Sequence, residues 1–517
     1  MNDTHLSDAT ETITPRGRRF IVAAALLALF LGALDALVMS SAMPTVVSEL
    51  GGLSLYSWVY SSYMLARAVS LPIFGKLADI LPTRALYQAA LGFFVAGSLA
   101  AGLAPGMEVL IACRALQGVG AGGSFALVYV VLTDISSPET RAKSLSLGSF
   151  VWGLASVLGP SLGAFIVSEF SWRWIFFVNV PLGLLSMGGV AVWLVETRRK
   201  KSNARIDYAG AAALSTCVVS LLLLCLVAGE SHDRDPSHIV ALALVCLLSG
   251  YLFCRIEDRA AEPILPLPFF AVRGFSAGNA AVFLSSLAIF ALFAYAPLFV
   301  QAALGRPPMQ VGATVLALSL GWSIGSLLLG QIVNRIGTRG ASMAGAAFLL
   351  AGCGATLTFS TATPVGVCVA VFLLIGTGMG FVALGTILVV QNSLSDLDLG
   401  VATASNQFAR SLGGTIGVGI AGGVFSARFE TALQALVRET PASDWPAGIA
   451  AQLQQAPEAL FRPETQRLLA PGLLERLHEA VAAGVLWVFA AVLVSAALCL
   501  AVCCLLPKSS AHAQKRR

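Results

Sequence analysis

The sequence predicts an all-α integral membrane protein, and three observations carry that reading. Hydrophobic residues make up 57% of the 517 and charged residues only 11%, against about 25% charged in an ordinary soluble domain. Apolar runs of about 20 residues, the length that crosses a bilayer core as a helix, recur from Phe20 to Leu506. The short alternating strands that an outer-membrane barrel would need are not the pattern.

Taken in order, the candidate spans are 20–42, 56–77, 85–104, 108–132, 142–168, 173–195, 208–229, 238–254, 274–302, 310–333, 340–359, 364–390, 400–427 and 481–506. The first follows "RGRR" (16–19) and could pass for a secretory signal. Its apolar run is too long for one, carries Asp35 and precedes further spans, so it reads as an uncleaved helix. The ten cysteines all fall inside spans, which indicates neither a disulfide framework nor a thiolate metal site. The five histidines lie in tails, loops or span ends. Proton chemistry inside the membrane therefore falls to carboxylates, and no metal or cofactor is expected. Lys and Arg gather in the short loops of one face when both termini are placed in the cytoplasm. The net charge of +5 is mostly this bias and not a nucleic-acid footprint.

Two stretches look like copies of one another: "GKLADILPTR" (75–84) and "GQIVNRIGTR" (330–339). Gly75 lies 55 residues after Phe20, where the first span begins, and Gly330 lies 55 after Phe275, where the ninth begins. An internal duplication of this kind is how secondary transporters are built. The expected organisation is an N-tail (1–19), a six-span bundle (20–195), a basic cytoplasmic linker (196–207), two extra spans (208–254), a second linker (255–273), a second six-span bundle (274–506) and a C-tail (507–517). Residues 428–480, within that second bundle, carry charge, proline and Leu at helical spacing. They are expected outside the membrane, either as a lid or docking element, for example for a periplasmic adaptor, or as a solvated cover.

Five motifs then occur in one order: "LDALVMSSAMP" (34–44), "GKLADILPTR" (75–84), "RALQGVGAGG" (114–123), "GLASVLGPSLGA" (153–164) and "SWRWIFFVNVPLG" (171–183). In this order and layout the chain resembles the major facilitator superfamily, in its fourteen-span drug:proton antiporter branch of EmrB/QacA type. The resemblance implies the major facilitator fold, two six-helix bundles with two extra spans between them. It implies an inner gate from Gly75, Asp79 and Arg84, and an antiporter motif in the fifth span from Gly153, Gly159, Pro160 and Gly163. Asp134 and Arg141 lie at the same span ends as Asp79 and Arg84, where the four can form an ion-pair latch present in one conformation. Asn334, Arg335, Gly337 and Arg339 belong to the second copy of the gate. Physically, Gly159-Pro160 removes a backbone hydrogen bond, and the glycines let a neighbouring helix approach closely. The spacing Gly118, Gly120, Gly123 is no dinucleotide site, because it lies in a span without the required strand. No GxxxxGK[ST] loop occurs, so ATP is not read as the energy source.

Four ionisable groups sit well inside the spans: Asp35, Arg67, Arg114 and Arg410. At 1.5 Å per residue Asp35 and Arg114 both lie about 10 Å below the outer surface, so they can interact directly or through water. Burial favours the protonated carboxyl and a nearby guanidinium the charged one. Asp35 is therefore expected to take a proton when Arg114 is away and release it when Arg114 returns; the plainer alternative is a permanent pair that fixes packing. Arg67 and Arg410 lie near the midplane with no obvious acidic partner. Each either bonds backbone carbonyls or favours an anionic or polar group on the substrate. Trp58, Phe150, Trp152, Phe290 and Phe293 are candidate cavity walls, with lipid contact the alternative for each.

The expected function is a proton-driven antiporter of the bacterial cytoplasmic membrane that exports amphipathic drugs or toxic compounds, not an enzyme. Rival readings are a dedicated exporter of one metabolite, siderophore or antibiotic, and a non-transporting membrane sensor or adaptor. A membrane enzyme would need clustered carboxylates or histidines at one face, which the sequence lacks.

Overall fold

The structure is a computed structural model that describes residues 15–50, 56–137, 140–196, 207–229, 236–260, 263–306, 308–441, 445–446 and 468–507. Its regular structure is helical throughout these residues. In chain order the helices are α1 (Pro15–Leu50), α2 (Tyr56–Ile80), α3 (Thr83–Gly102), α4 (Met107–Asp134), α5 (Arg141–Glu169), the single turn α6 (Trp174–Phe177) and α7 (Asn179–Trp193). They continue as α8 (Tyr208–Gly229), α9 (Pro236–Glu257), α10 (Arg273–Leu298), α11 (Pro308–Thr356), α12 (Val365–Asn392), α13 (Leu399–Glu439) and α14 (Pro471–Cys504). Among the described residues, ten helical stretches are long and apolar enough to cross a membrane.

Backbone chemistry explains the breaks. The 49 residues of α11 would span about 73 Å as one straight rod, more than twice a bilayer core. Gly337, at φ 75 and ψ 157, divides it into two helical arms in a conformation that only glycine adopts freely. Pro297 cannot donate to the ladder of α10, and the helix widens just after it into a π-turn at Phe299–Ala303. That turn stops at Gly305 (φ 61), where the Arg306 N–H reaches back to the Val300 carbonyl in the manner of a glycine helix stop.

The two similar stretches, 75–84 and 330–339, pack in a pseudo-symmetric way. On α2, a Cβ at Gly75 would collide with Ala404 of α13; on α11, a Cβ at Gly330 would stand 2.8 Å from Ser146 Oγ of α5. Each copy thus brings its helix against one from the opposite end of the chain. Between these sets, α8 and α9 pair with each other and rest on α2 and α13 through Leu65, Ala68, Leu214, Val218 and Phe253, with Leu412 alongside.

Three helices run well past their expected ends, and α1 is the first, reaching Leu50 where the expected span ends at 42. Residues 428–439 continue α13 and 471–480 open α14, where Phe429, Leu433, Leu436, Leu473 and Leu477 share one buried cluster.

Candidate functional site

Asp35 is 2% exposed in the middle of α1, and Arg114, on α4, is 1% exposed. Arg114 Nη1 donates to Asp35 Oδ2 at 2.5 Å. The other carboxylate oxygen accepts from Gln117 Nε2 at 2.7 Å and from Asn179 Nδ2 at 3.0 Å. Gln117 Nε2 also reaches Ser98 Oγ at 2.7 Å, and Gln117 Oε1 accepts from Arg114 Nη1 at 2.6 Å. The guanidinium lies 4.2 Å from the centre of the Tyr63 ring, whose hydroxyl donates to the Gly32 carbonyl at 3.2 Å. Five helices converge here: α1, α2, α3, α4 and α7.

A buried ion pair survives only when its remaining valences are also met, and these neutral amides meet them. Removing the cation leaves a desolvated carboxylate, which the protein accommodates most cheaply by protonation. Beside Asp35, between Leu162, Ile166 and Val178, a crevice has room for about one water. Gln117, Asn179 and Ser98 were not singled out in the sequence. Gln117 and Asn179 lie within the quoted stretches 114–123 and 171–183, and Gln117 stands one helical turn after Arg114; Ser98 offered only a neutral polar side chain in an apolar run.

Arg67 of α2 and Arg410 of α13 are not part of this network. Their guanidiniums stand over one shared ring, Phe125 of α4, at 4.7 and 5.2 Å from its centre. Arg67 is also 5.4 Å from the Trp152 ring and Arg410 5.7 Å from the Trp322 ring. Of the candidate wall residues, Trp152 lies edge-on to Phe125 and Phe290 edge-on to Trp322. Phe293 packs beside Phe290, whereas Trp58 and Phe150 are 42% and 46% exposed.

At the end of α2, Asp79 caps the start of α13. Its Oδ1 accepts from the Gly400 N–H at 2.8 Å and its Oδ2 from the Val401 N–H at 3.0 Å. A carboxylate there satisfies orphan donors and complements the helix dipole. Gln391 of α12 donates to Thr133 of α4 at 3.1 Å and to Thr403 of α13 at 3.0 Å, so this end of the molecule is tied across by hydrogen bonds. Arg84 is exposed, and its backbone N–H donates to Glu196 Oε1 at 2.7 Å. Asp134 ends α4 and Arg141 begins α5, with Arg141 Nε buried and without a hydrogen-bond partner among the described residues. In the second copy Gly337 makes the turn, Arg339 Nη2 donates to the Cys504 carbonyl at 2.7 Å, and Asn334 and Arg335 lie exposed just before it. In α5 a Cβ at Gly153 would collide with Ser323 of α11. Gly159 and Gly163 are buried, and the helix runs unbroken through Pro160.

The sequence profile described as Major Facilitator Superfamily matches residues 25–418, which takes in every residue of both clusters. The chain belongs to the Major Facilitator Superfamily. It is 34% identical over 411 residues to the multidrug transporter protein MdtP of Bacillus subtilis (strain 168), covering 80% of this chain and 76% of that one. It is 30% identical over 490 residues to multidrug resistance protein 3 of the same organism, covering 93% of each. Its fold is that of the human organic anion transporter MFSD10, with a TM-score of 0.59 at 15% identity over 80% of this chain and 94% of that one. This superfamily member is a multi-pass membrane transporter.

Proposed function

We propose that this transporter is a proton-coupled antiporter that exports amphipathic drugs or toxic compounds across the bacterial cytoplasmic membrane, as one of the fourteen-span drug:proton antiporters. The reading rests chiefly on Asp35, a carboxylate buried in a spanning helix whose partners include one detachable cation, Arg114. The names of its two Bacillus relatives supply the class of cargo. In this scheme, Asp35 is ionised while Arg114 holds it and takes a proton when the helices shift and Arg114 withdraws. The proton enters from one face and leaves toward the other, while substrate moves in the opposite direction. Each charge crossing 100 mV releases about 2.3 kcal/mol, so the membrane potential supplies the driving force.

Gly75, Asp79, Arg84, Asp134 and Arg141, with Asn334, Arg335, Gly337 and Arg339, form the gate at the cytoplasmic face. Gly153, Gly159, Pro160 and Gly163 form the sliding contact of α5, and Arg67 and Arg410 line the substrate cavity. The chain makes six passes, two extra and six more, with both termini in the cytoplasm and the segment between α13 and α14 outside, where a periplasmic adaptor has a place to dock.

The test is purified protein in sealed vesicles with an imposed pH gradient and a fluorescent amphipathic dye. Dye should accumulate against its gradient while protons move the opposite way down theirs, and a protonophore, which dissipates the proton gradient, should abolish the accumulation. Accumulation that persists without any proton gradient would overturn the coupling.

A further inference from the structure

The two arginines outside the Asp35 network make up a second arrangement with a definite polarity. Arg67 is 8% exposed, with its Nε buried and unpartnered; the indole N–H groups of Trp152 and Trp322 are buried and unpartnered as well. All three of these orphan groups are donors; Gln407, which lines the crevice beside Arg410, adds one buried unpartnered acceptor, its Oε1. Among the described residues neither guanidinium forms an ion pair. Because both stand over Phe125, the two guanidinium carbons are at most about 10 Å apart, roughly one Debye length in physiological salt, and the protein interior screens them less than water would. Two like charges and three unmet donors are costly to bury, and cation–π contact returns only about 0.5–2 kcal/mol each. One acidic group placed between them would answer both costs.

We propose that Arg67, Arg410 and the indoles of Trp152 and Trp322, gathered around Phe125, form a binding site for a planar aromatic monoanion such as an aryl carboxylate. This names the substrate class of the exporter reading and rests on it. The acidic group takes the guanidiniums and indole donors in charge-assisted hydrogen bonds, and its ring system stacks among Phe125, Trp152 and Trp322. A cationic drug meets two positive charges and no carboxylate there. The residues come from α2, α4 and α5 on one side and from α11 and α13 on the other. The crevice beside Arg410 has room for about one water in this conformation, so the ligand enters as the two sets part.

The experiment uses the purified full chain in lipid nanodiscs and three isosteric probes: naphthalene-2-carboxylate, naphthalene-2-carboxamide and naphthalen-2-ylmethylammonium. Binding is read by calorimetry at pH 7 with empty nanodiscs subtracted. The carboxylate should bind about tenfold or more tighter than the amide, the worth of a charge-assisted hydrogen bond, and the ammonium more weakly than either. Arg67→Gln and Arg410→Gln should each weaken the carboxylate more than the amide, bringing the two affinities close together. Trp322→Phe, which keeps the ring and loses the donor, should weaken the carboxylate selectively. Equal affinity for acid and amide, or tightest binding of the ammonium, would overturn the proposal. The wild-type probe series decides alone if an arginine variant does not fold. No gradient is involved, so acid-selective binding stands even if vesicles fail to export. Dye export by a protein indifferent to probe charge would reject this site and leave the exporter reading intact.

Discussion

At the scale of single residues, Asp35 is set apart by the completeness of its partners. Arg114 holds one oxygen and Gln117 and Asn179 the other, so a change at any of the four alters the charge balance of the group. Asp35→Asn keeps the shape and removes the titration. Uphill export in vesicles should vanish, while downhill exchange of substrate persists, because a neutral side chain no longer stops the cycle to wait for a proton. An Asp35→Asn protein that concentrates dye as well as wild type would reduce the carboxylate to a packing role. Arg114→Ala acts from the other side. Breaking a buried pair costs about 3–5 kcal/mol when the remaining charge stays ionised, so Asp35 escapes that cost by keeping its proton. The pH optimum of transport, measured over pH 5–9, should move upward while substrate binding remains. An unmoved optimum would show that Arg114 does not govern the proton.

At the scale of elements, the helix ends carry the capping and ion-pair chemistry. Asp79 accepts from two N–H groups at the start of α13, and losing such a cap costs about 0.5–2 kcal/mol. Asp79→Ala should therefore loosen the contact between α2 and α13, seen as faster hydrogen exchange at Gly400 and Val401, with exchange in α3 unchanged. At the far end of α1, Glu49 accepts from Trp172 Nε1 at 2.6 Å and pairs with Arg173. The bond from Arg173, then that from Trp172, hold its carboxyl below the usual 4.5. A lowered folded-state value means that this contribution is fully present above the ordinary carboxylate range and is lost as pH falls through the folded value. Melting temperature should stay level from pH 7 to about 5 and drop below that, and Glu49→Gln should flatten the drop; an identical acid profile in the variant would exclude the pair. The all-helical character and the centres of most helices were legible from apolar run length, because a bilayer imposes it. The ends of α13 and α14 were not: beyond the lipid they are held by Leu433, Leu436, Leu473 and Leu477 packing on each other, an amphipathic pattern that a search for apolar runs passes over. Asp35, Arg67, Arg114 and Arg410 stood out as charges in apolar sequence. Phe125, which both midplane arginines share, did not, since a phenylalanine in a spanning helix is unremarkable until tertiary packing gives it neighbours.

At the scale of the whole molecule, the placement of α8 and α9 decides how the chain threads the membrane. The pair sits against α2 and α13 through Leu65, Leu214, Val218 and Phe253. The outer surface of α9 is apolar and open, with Leu244, Leu247 and Leu248 each more than 60% exposed, the surface of a helix that meets lipid. In the proposed layout α8 and α9 are two adjacent passes, which restore the chain to the side from which it left, so the segments flanking the pair share a face. The first flank carries "RRKK" (198–201) and the second Arg255 and Arg259, and positive charge in short loops marks the cytoplasmic side. Reporter fusions after Glu196 and after Ala260 should therefore both read cytoplasmic, and a fusion at Trp445 should read external. If the Glu196 fusion reads cytoplasmic and the Ala260 fusion external, the pair crosses an odd number of times. The gate copies at Gly75 and Gly330 would then lie on opposite faces, and the shared-gate scheme built on their matching contacts with α13 and α5 would fail with them.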